Sequence, residues 1–158
     1  LFTITLSALL ISCANTNQSV LKTDDELTST INLLFDKYLA NDFELSDFYA
    51  DNVVARVNNQ ELNGYENLIA GYKAHHELLY NDISIDELYV HTNYFSNGEV
   101  WSNAWLTWSG VGKTTGEEYT NRAHFDYKWE NGKIVELLAY YSEYADLKES
   151  AALQATQE

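Results

Sequence analysis

Tyr119 to Tyr144 reads YTNRAHFDYKWENGKIVELLAYYSEY, and its first half alternates. Glu118, Thr120, Arg122, His124, Asp126 and Lys128 are polar, while Tyr119, Asn121, Ala123, Phe125, Tyr127 and Trp129 between them are mostly aromatic or apolar. A period of two marks an antiparallel strand with one face on a core and the other in water. Glu130-Asn131-Gly132-Lys133 follows, and Asn and Gly tolerate the positive φ that a tight hairpin needs. The apolar, aromatic-rich run from Ile134 to Tyr141 then predicts a second strand paired back on the first.

The chain has 158 residues, enough for one domain with a substantial core. Its 24 acidic residues against nine basic ones give a net charge of −15, which excludes a nucleic-acid partner and disfavours anionic lipid headgroups. With 46% hydrophobic and 14% aromatic residues, the acidity belongs to the surface of a folded domain, not to a disordered chain. One Cys rules out an internal disulfide, and its position suggests another use. Residues 1–11, LFTITLSALLI, carry no charge and are too short to span a bilayer; they read as the apolar region of a signal peptide. Leu10-Ile11-Ser12-Cys13 resembles a bacterial lipobox. That resemblance implies cleavage before Cys13 and a lipid thioether on it. Ala14 follows in place of an Asp, which points to the outer membrane facing the periplasm. Residues 1–12 are therefore expected to be a lipoprotein-type signal peptide and 13–22 a polar tether, with membrane contact through the lipid anchor only.

Further along, Thr23 and Glu26 fit a capping box ahead of an amphipathic helix over 24–40, with Leu27, Ile31, Leu34, Phe35 and Tyr38 as its stripe. Phe43, Leu45, Phe48 and Tyr49 suggest a second, short helix, followed by an extended segment at 53–57. A third helix is predicted over 65–80, with His75 or His76 completing its apolar line. Long strands follow at about 83–95, 99–110, 119–129 and 134–141, and the acidic, Ala-rich stretch from Glu143 to Glu158 is expected to start as a helix and then fray, with 146–158 as an acidic tail beyond the domain. Helices first and antiparallel strands afterwards give an α+β fold.

This order, with the Gly64-Tyr65-Glu66-Asn67-Leu68 helix entry and the Asn131-Gly132-Lys133-Ile134-Val135-Glu136 hairpin, resembles the nuclear transport factor 2-like superfamily, most of all its SnoaL-like branch. The likeness covers roughly residues 24–145, within a domain placed at 23–145. It implies a cone-shaped, strongly curved antiparallel sheet with about three N-terminal helices on its concave face, enclosing a pocket. Relatives of this shape include isomerases, polyketide cyclases, epoxide hydrolases, dehydratases and binding domains without chemistry, so fold leaves function open.

Within such a pocket, alternation places Tyr119, Asn121 and Tyr127 inside, with His124 and Asp126 outside beside Arg122 and Lys128. Phe125 stands where catalytic relatives often carry a carboxylate. Trp101, Asn103 and Trp105 share one face of their strand and Val100, Ser102, Ala104, Leu106 and Trp108 the other. Both rows contain apolar residues, so alternation does not decide between them. The Trp101, Asn103, Trp105 row would make an amphipathic pocket wall, with core packing or a dimer interface as the alternative. His91 shares a parity with Ile83, Ile85 and Tyr89, making it a weak candidate base, with Tyr119 as acid; a core His is the alternative. Arg56 could meet a ligand carboxylate or face solvent. Tyr140 and Tyr141 point to opposite faces, so one reaches the pocket mouth, and Tyr140 stands as the candidate. His75 and His76 are adjacent on a helix and cannot clamp a metal as an i, i+4 pair would; no metal and no cofactor are expected. The expected function is a lipid-anchored, periplasm-facing domain that binds a small, largely apolar ligand without catalysis. The alternatives are a lyase or isomerase moving protons in the same pocket, and a structural module forming a homodimer through its sheet.

Overall fold

The hairpin around Gly132 is built as its residues require: Asn131 and Gly132 take φ of 51° and 76°, and β6 (Glu118–Glu130) pairs antiparallel with β7 (Lys133–Tyr140). Successive positive φ values match the right-handed twist of the flanking strands. A computed structural model of the chain describes residues 18–157. Residues 1–12, expected as a signal peptide, and Cys13 lie outside the described residues. The remaining elements are β1 (Val20–Lys22), α1 (Glu26–Leu39), β2 (Tyr49–Val57), β3 (Gln60–Asn63), α2 (Tyr65–Ala74), β4 (Tyr80–Tyr94), β5 (Val100–Gly112) and α3 (Tyr144–Ala155). A π-helical turn, His75–Leu79, joins α2 to β4.

The seven strands form one sheet in the order β1-β4-β5-β6-β7-β2-β3. It is mixed, which departs from the antiparallel expectation: β2 runs parallel to β7, with Ala55 opposite Leu137. The crossover from β2 through β3, α2 and the long meander β4 to β7 brings the first long strand back beside the last. Two helices precede the meander, and the third is α3, where the tail was expected to start as a helix; it runs on to Ala155. The short helix expected at 43–49 is absent. A single turn stands there, with the Phe48 and Tyr49 amides both bonding the Leu45 carbonyl at 3.0 and 3.2 Å, and it goes no further because β2 begins at Tyr49. Residues 20–22, expected at the end of the tether, pair instead with β4 as β1. The cap of α1 is Asp25, whose carboxylate accepts the Thr28 amide at 3.0 Å, and not Thr23.

The core lies between one sheet face and α1 and α2. Ile31, Leu34 and Phe35 of α1 and Leu68 and Ile69 of α2 pack on Val53, Ala55, Ala104, Leu106, Tyr127, Ile134 and Leu137. On β5 the inward row is thus Ser102, Ala104 and Leu106, and the small residues admit α1 close to the sheet.

β4 does not keep one parity. Its register against β5 shifts twice, between Asn81 and Ser84 and between Asp86 and Tyr89, and Asp82 and Glu87 take φ of 50° and 51°. Ile85 packs on the core before the second bulge, and Leu88 and Val90 pack on it afterwards. Each bulge adds one residue to a period-two pattern, so every side chain beyond it changes face. Tyr89, His91 and Asn93 are therefore carried to the outer face, against the inward reading of His91.

Candidate functional site

A cavity of about 230 Å³ lies between the helices and the sheet. Its walls are mostly aromatic and aliphatic, among them Phe35, Tyr49, Tyr72, Phe125, Tyr127 and Leu137. One end is different. There the π-helical turn delivers His75, α1 delivers Tyr38, β5 delivers Trp108 and the first turn of α3 delivers Asp146. A π-helical turn inside a helix changes the direction in which its side chains leave, and such turns recur at functional sites.

These groups form a directed chain. The Trp108 indole can only donate, and it donates to the Tyr38 hydroxyl at 3.2 Å. The phenol proton is thereby free for His75 Nδ1, 3.1 Å away, which leaves the imidazole proton on Nε2. His75 Nε2 lies 3.9 Å from Asp146 Oδ1, and the same oxygen accepts the Tyr80 hydroxyl at 2.6 Å. Burial holds the His75 pKa below its ordinary 6.5, against the opposing attraction of Asp146. Burial likewise raises the phenols: Tyr72 is pushed up to about 12, and Tyr38, Tyr49, Tyr127 and Tyr141 also rise, so the tyrosine walls stay neutral. The site therefore offers a neutral imidazole, a phenol and a carboxylate at one end of an apolar chamber. Among the described residues lining the cavity, Asp146 is the only acid, and no Lys or Arg reaches it.

A second recess shares Val57, Gln60, Tyr141 and Asp146 with the cavity and adds Glu143, Leu147 and Ser150. The two meet at the N-terminal end of α3. Asn121 fixes that end: its amide donates to the Ser142 carbonyl at 2.7 Å and accepts the Ser142 amide at 3.3 Å.

Of the residues singled out from sequence, Asn121 and Tyr127 line the cavity. Tyr119 faces the same side but lies beyond the cavity, in a separate buried cluster with Leu79, Tyr80 and Ala145. Trp101, Asn103 and Trp105 stand on the outer sheet face, because Ser102, Ala104 and Leu106 hold the inward places under α1. His91, Trp105, His124 and Tyr140 form a row of rings across that face, with centroid distances of 5.1, 5.0 and 6.3 Å. His124 meets Asp126 there at 2.8 Å. Tyr140 is half-exposed on the outside, and Tyr141 takes the inner place. Arg56 is also outside, paired with Glu61 at 3.2 Å and with Glu136. The carboxylate missing from the sequence reading is Asp146. His75 and Trp108 were in view but not assigned to the site, and Tyr38 was read only as part of the helix stripe.

No family model and no curated protein matches the sequence. Solved structures do match. A candidate isomerase from Bacillus subtilis aligns with a TM-score of 0.63 at 14% identity, covering 82% of this chain and 97% of that one. A candidate SnoaL-like polyketide cyclase from Jannaschia aligns at 0.56 and 16% identity, covering 77% and 88%. The fold is that of the nuclear transport factor 2-like proteins. A third neighbour, from Catenulispora acidiphila, has a ketosteroid isomerase-like fold and was crystallised with trimethylamine; it aligns at 0.56 and 15% identity, covering 77% and 91%. At these identities the likeness concerns the fold.

Proposed function

We infer that the cavity between sheet and helices binds a small ligand with a largely apolar body and one polar group, the polar group set against His75, Asp146, Tyr38 and Tyr141. The observation that carries this reading is the make-up of the lining: mostly hydrophobic and aromatic walls, with Trp108, Tyr38, His75 and Asp146 linked into one polar cluster. Cyclohexanone is a suitable probe, with one carbonyl on an apolar ring. Titrating it should shift the Trp108 indole N–H resonance saturably, because that group is hydrogen-bonded within the site. Ala123 lines the cavity from β6, so Ala123→Phe places a ring in the ligand's space and should weaken binding by about tenfold or more. Arg122→Ala, on the opposite face of the same strand, should leave it unchanged. Equal binding by Ala123→Phe would place the ligand elsewhere.

Proton transfer is the second reading, and the His75–Asp146 pair favours it. With its own proton on Nε2, the neutral imidazole can take a substrate proton on Nδ1 once the ligand displaces the Tyr38 hydroxyl from that nitrogen, and a carboxylate 3.9 Å from Nε2 stabilises the imidazolium that results. Exchange of the cyclohexanone α-protons in D₂O should then run faster with the protein, be lost in His75→Gln, and persist to a pH below the ordinary imidazole value of 6.5 because burial keeps His75 neutral. No acceleration over buffer would leave binding alone.

Attachment by a lipid at Cys13, in the cell envelope facing the periplasm, is supported by the sequence of residues 1–13. Among the described residues no helix is long and apolar enough to cross a membrane. Expression in a bacterial host with radiolabelled palmitate should label the protein and not its Cys13→Ala variant; equal labelling of both would remove the anchor.

A further inference from the structure

We propose that the ligand of this cavity is a cation, a small alkylammonium ion whose charged head sits between Asp146 and the surrounding aromatic rings. The inference rests on the reading of the cavity as a ligand site and adds the charge of what it takes.

Asp146 sits at the aromatic end of the cavity. The Tyr80 hydroxyl bonds its Oδ1 at 2.6 Å, and Tyr80 packs on Trp108 with ring centroids 4.7 Å apart. Tyr38 packs edge-on to His75 at 6.3 Å and to Tyr72 at 6.0 Å, and Tyr141 lines the wall from the far side. Aromatic faces attract ammonium heads through their quadrupoles, most strongly when the site is shielded from water, and alkyl groups on the nitrogen suit the apolar walls. Two rivals for Asp146 are weak. His75 is its single basic neighbour within 4.0 Å among the described residues, and burial disfavours the protonated form of that imidazole. The raised phenols keep their protons, so they supply neutral ring faces and no competing anion. An anionic ligand would find the opposite of what it needs: a carboxylate at the polar end and no Lys or Arg in the lining.

The approach is matched to the same charge. Where the cavity meets the second recess, Asp146 and Glu143 supply two carboxyl groups, Tyr141 keeps its proton, and no Lys or Arg lines the recess. The whole chain carries −15, and a cleft lined by one sign of charge raises the local concentration of the opposite one.

Choline and 3,3-dimethyl-1-butanol have nearly the same shape, and only the first is charged, so they separate charge from size. Calorimetric titration at low salt should show choline binding at least about tenfold more tightly than the alcohol. Asp146→Asn keeps an oxygen for the Tyr80 hydroxyl and removes the charge. It should weaken choline by about tenfold and leave the alcohol unchanged. Equal affinity for the two probes, or choline binding indifferent to Asp146→Asn, would overturn the cation while leaving the cavity reading intact, provided the alcohol or cyclohexanone still binds. Failure of all three neutral and charged probes to bind would remove the cavity reading itself. Should Asp146→Asn fail to fold, the choline comparison on the wild-type protein decides the question alone.

Discussion

Glu149→Ala should cost about 4 kcal/mol of stability and lower the melting temperature by roughly 10 °C. Glu149 is a fully buried acid on α3. Its carboxylate accepts the Thr114 and Thr115 amides at 3.0 and 3.3 Å, the Tyr119 hydroxyl at 2.8 Å and the Thr115 hydroxyl. Removing the acceptor strands these donors in a buried place, and each unsatisfied group costs about 1–3 kcal/mol, with some relief as hydroxyls turn to one another. Gly112 is part of the same arrangement. A β-carbon there would collide with the Glu149 carboxylate and come within 2.8 Å of Thr115 Oγ1. Gly112→Ala should therefore destabilise comparably, and the double variant should lose much less than the sum, because removing the carboxylate makes room for the methyl group. Full additivity would show that the two residues do not share a site.

The same carboxyl sets an acid limit. Burial pushes its pKa up, and the hydrogen bonds from Thr115, Tyr119 and the two amides outweigh burial, so the net displacement is below 4.5. A group depressed on folding contributes its stability above its unfolded pKa and loses it as pH falls through the folded value. Stability of the wild type should thus decline below about pH 4.5, and that part of the decline should be missing in Glu149→Gln. The consequence reaches the cavity. Asp146 lies on the same helix, one turn before Glu149, so the position of the cavity's acid depends on how α3 is held.

Much of the fold was legible because its signals are local. The alternation of β6, the Asn131-Gly132 turn and the stripes of α1 and α2 each declare themselves within a dozen residues. What was not legible depends on partners far along the chain. In α3 the inward places are Ala145 and Glu149, so the apolar stripe that marks a helix is broken by an acid whose acceptor role appears only once residues 114 and 115 are beside it. That is why Asp146 was lost with the tail. The bulge at Glu87 moved His91 to the outside, and a Glu at positive φ leaves no trace in hydropathy. On β5 the tryptophans of the outer row outweighed the small inward residues, although Ser102 and Ala104 are what a closely packed helix requires.

Ser102→Ala should cost about 2–3 kcal/mol for the loss of one oxygen. Ser102 sits fully buried in a chain of hydroxyls that joins α1 to four strands. The Trp129 indole donates to Ser102 at 2.8 Å, Ser102 and Thr92 are 2.7 Å apart, Thr92 and Thr28 are 2.9 Å apart, and Thr28 reaches the Lys22 carbonyl at 3.4 Å. Because the indole can only donate and the carbonyl only accept, every proton in the chain points the same way, from β6 towards α1. Ser102 both accepts and donates, so alanine leaves the indole N–H without an acceptor and Thr92 without its donor. Thr28→Val stands at the far end, next to the longest contact, and should cost about 1 kcal/mol. Urea unfolding measures both. Ser102→Ala combined with Trp129→Phe should fall short of additivity, since the second change removes the donor that the first had stranded. A Ser102→Ala protein as stable as wild type would mean the hydroxyls contribute nothing net, and that apolar packing alone holds α1 on the sheet. The directional chain favours the other outcome: a helix shifted by one residue would break both bonds of the Thr28 hydroxyl, to Thr92 and to the Lys22 carbonyl, so the network selects one seating of α1 and with it the position of Tyr38 in the cavity wall.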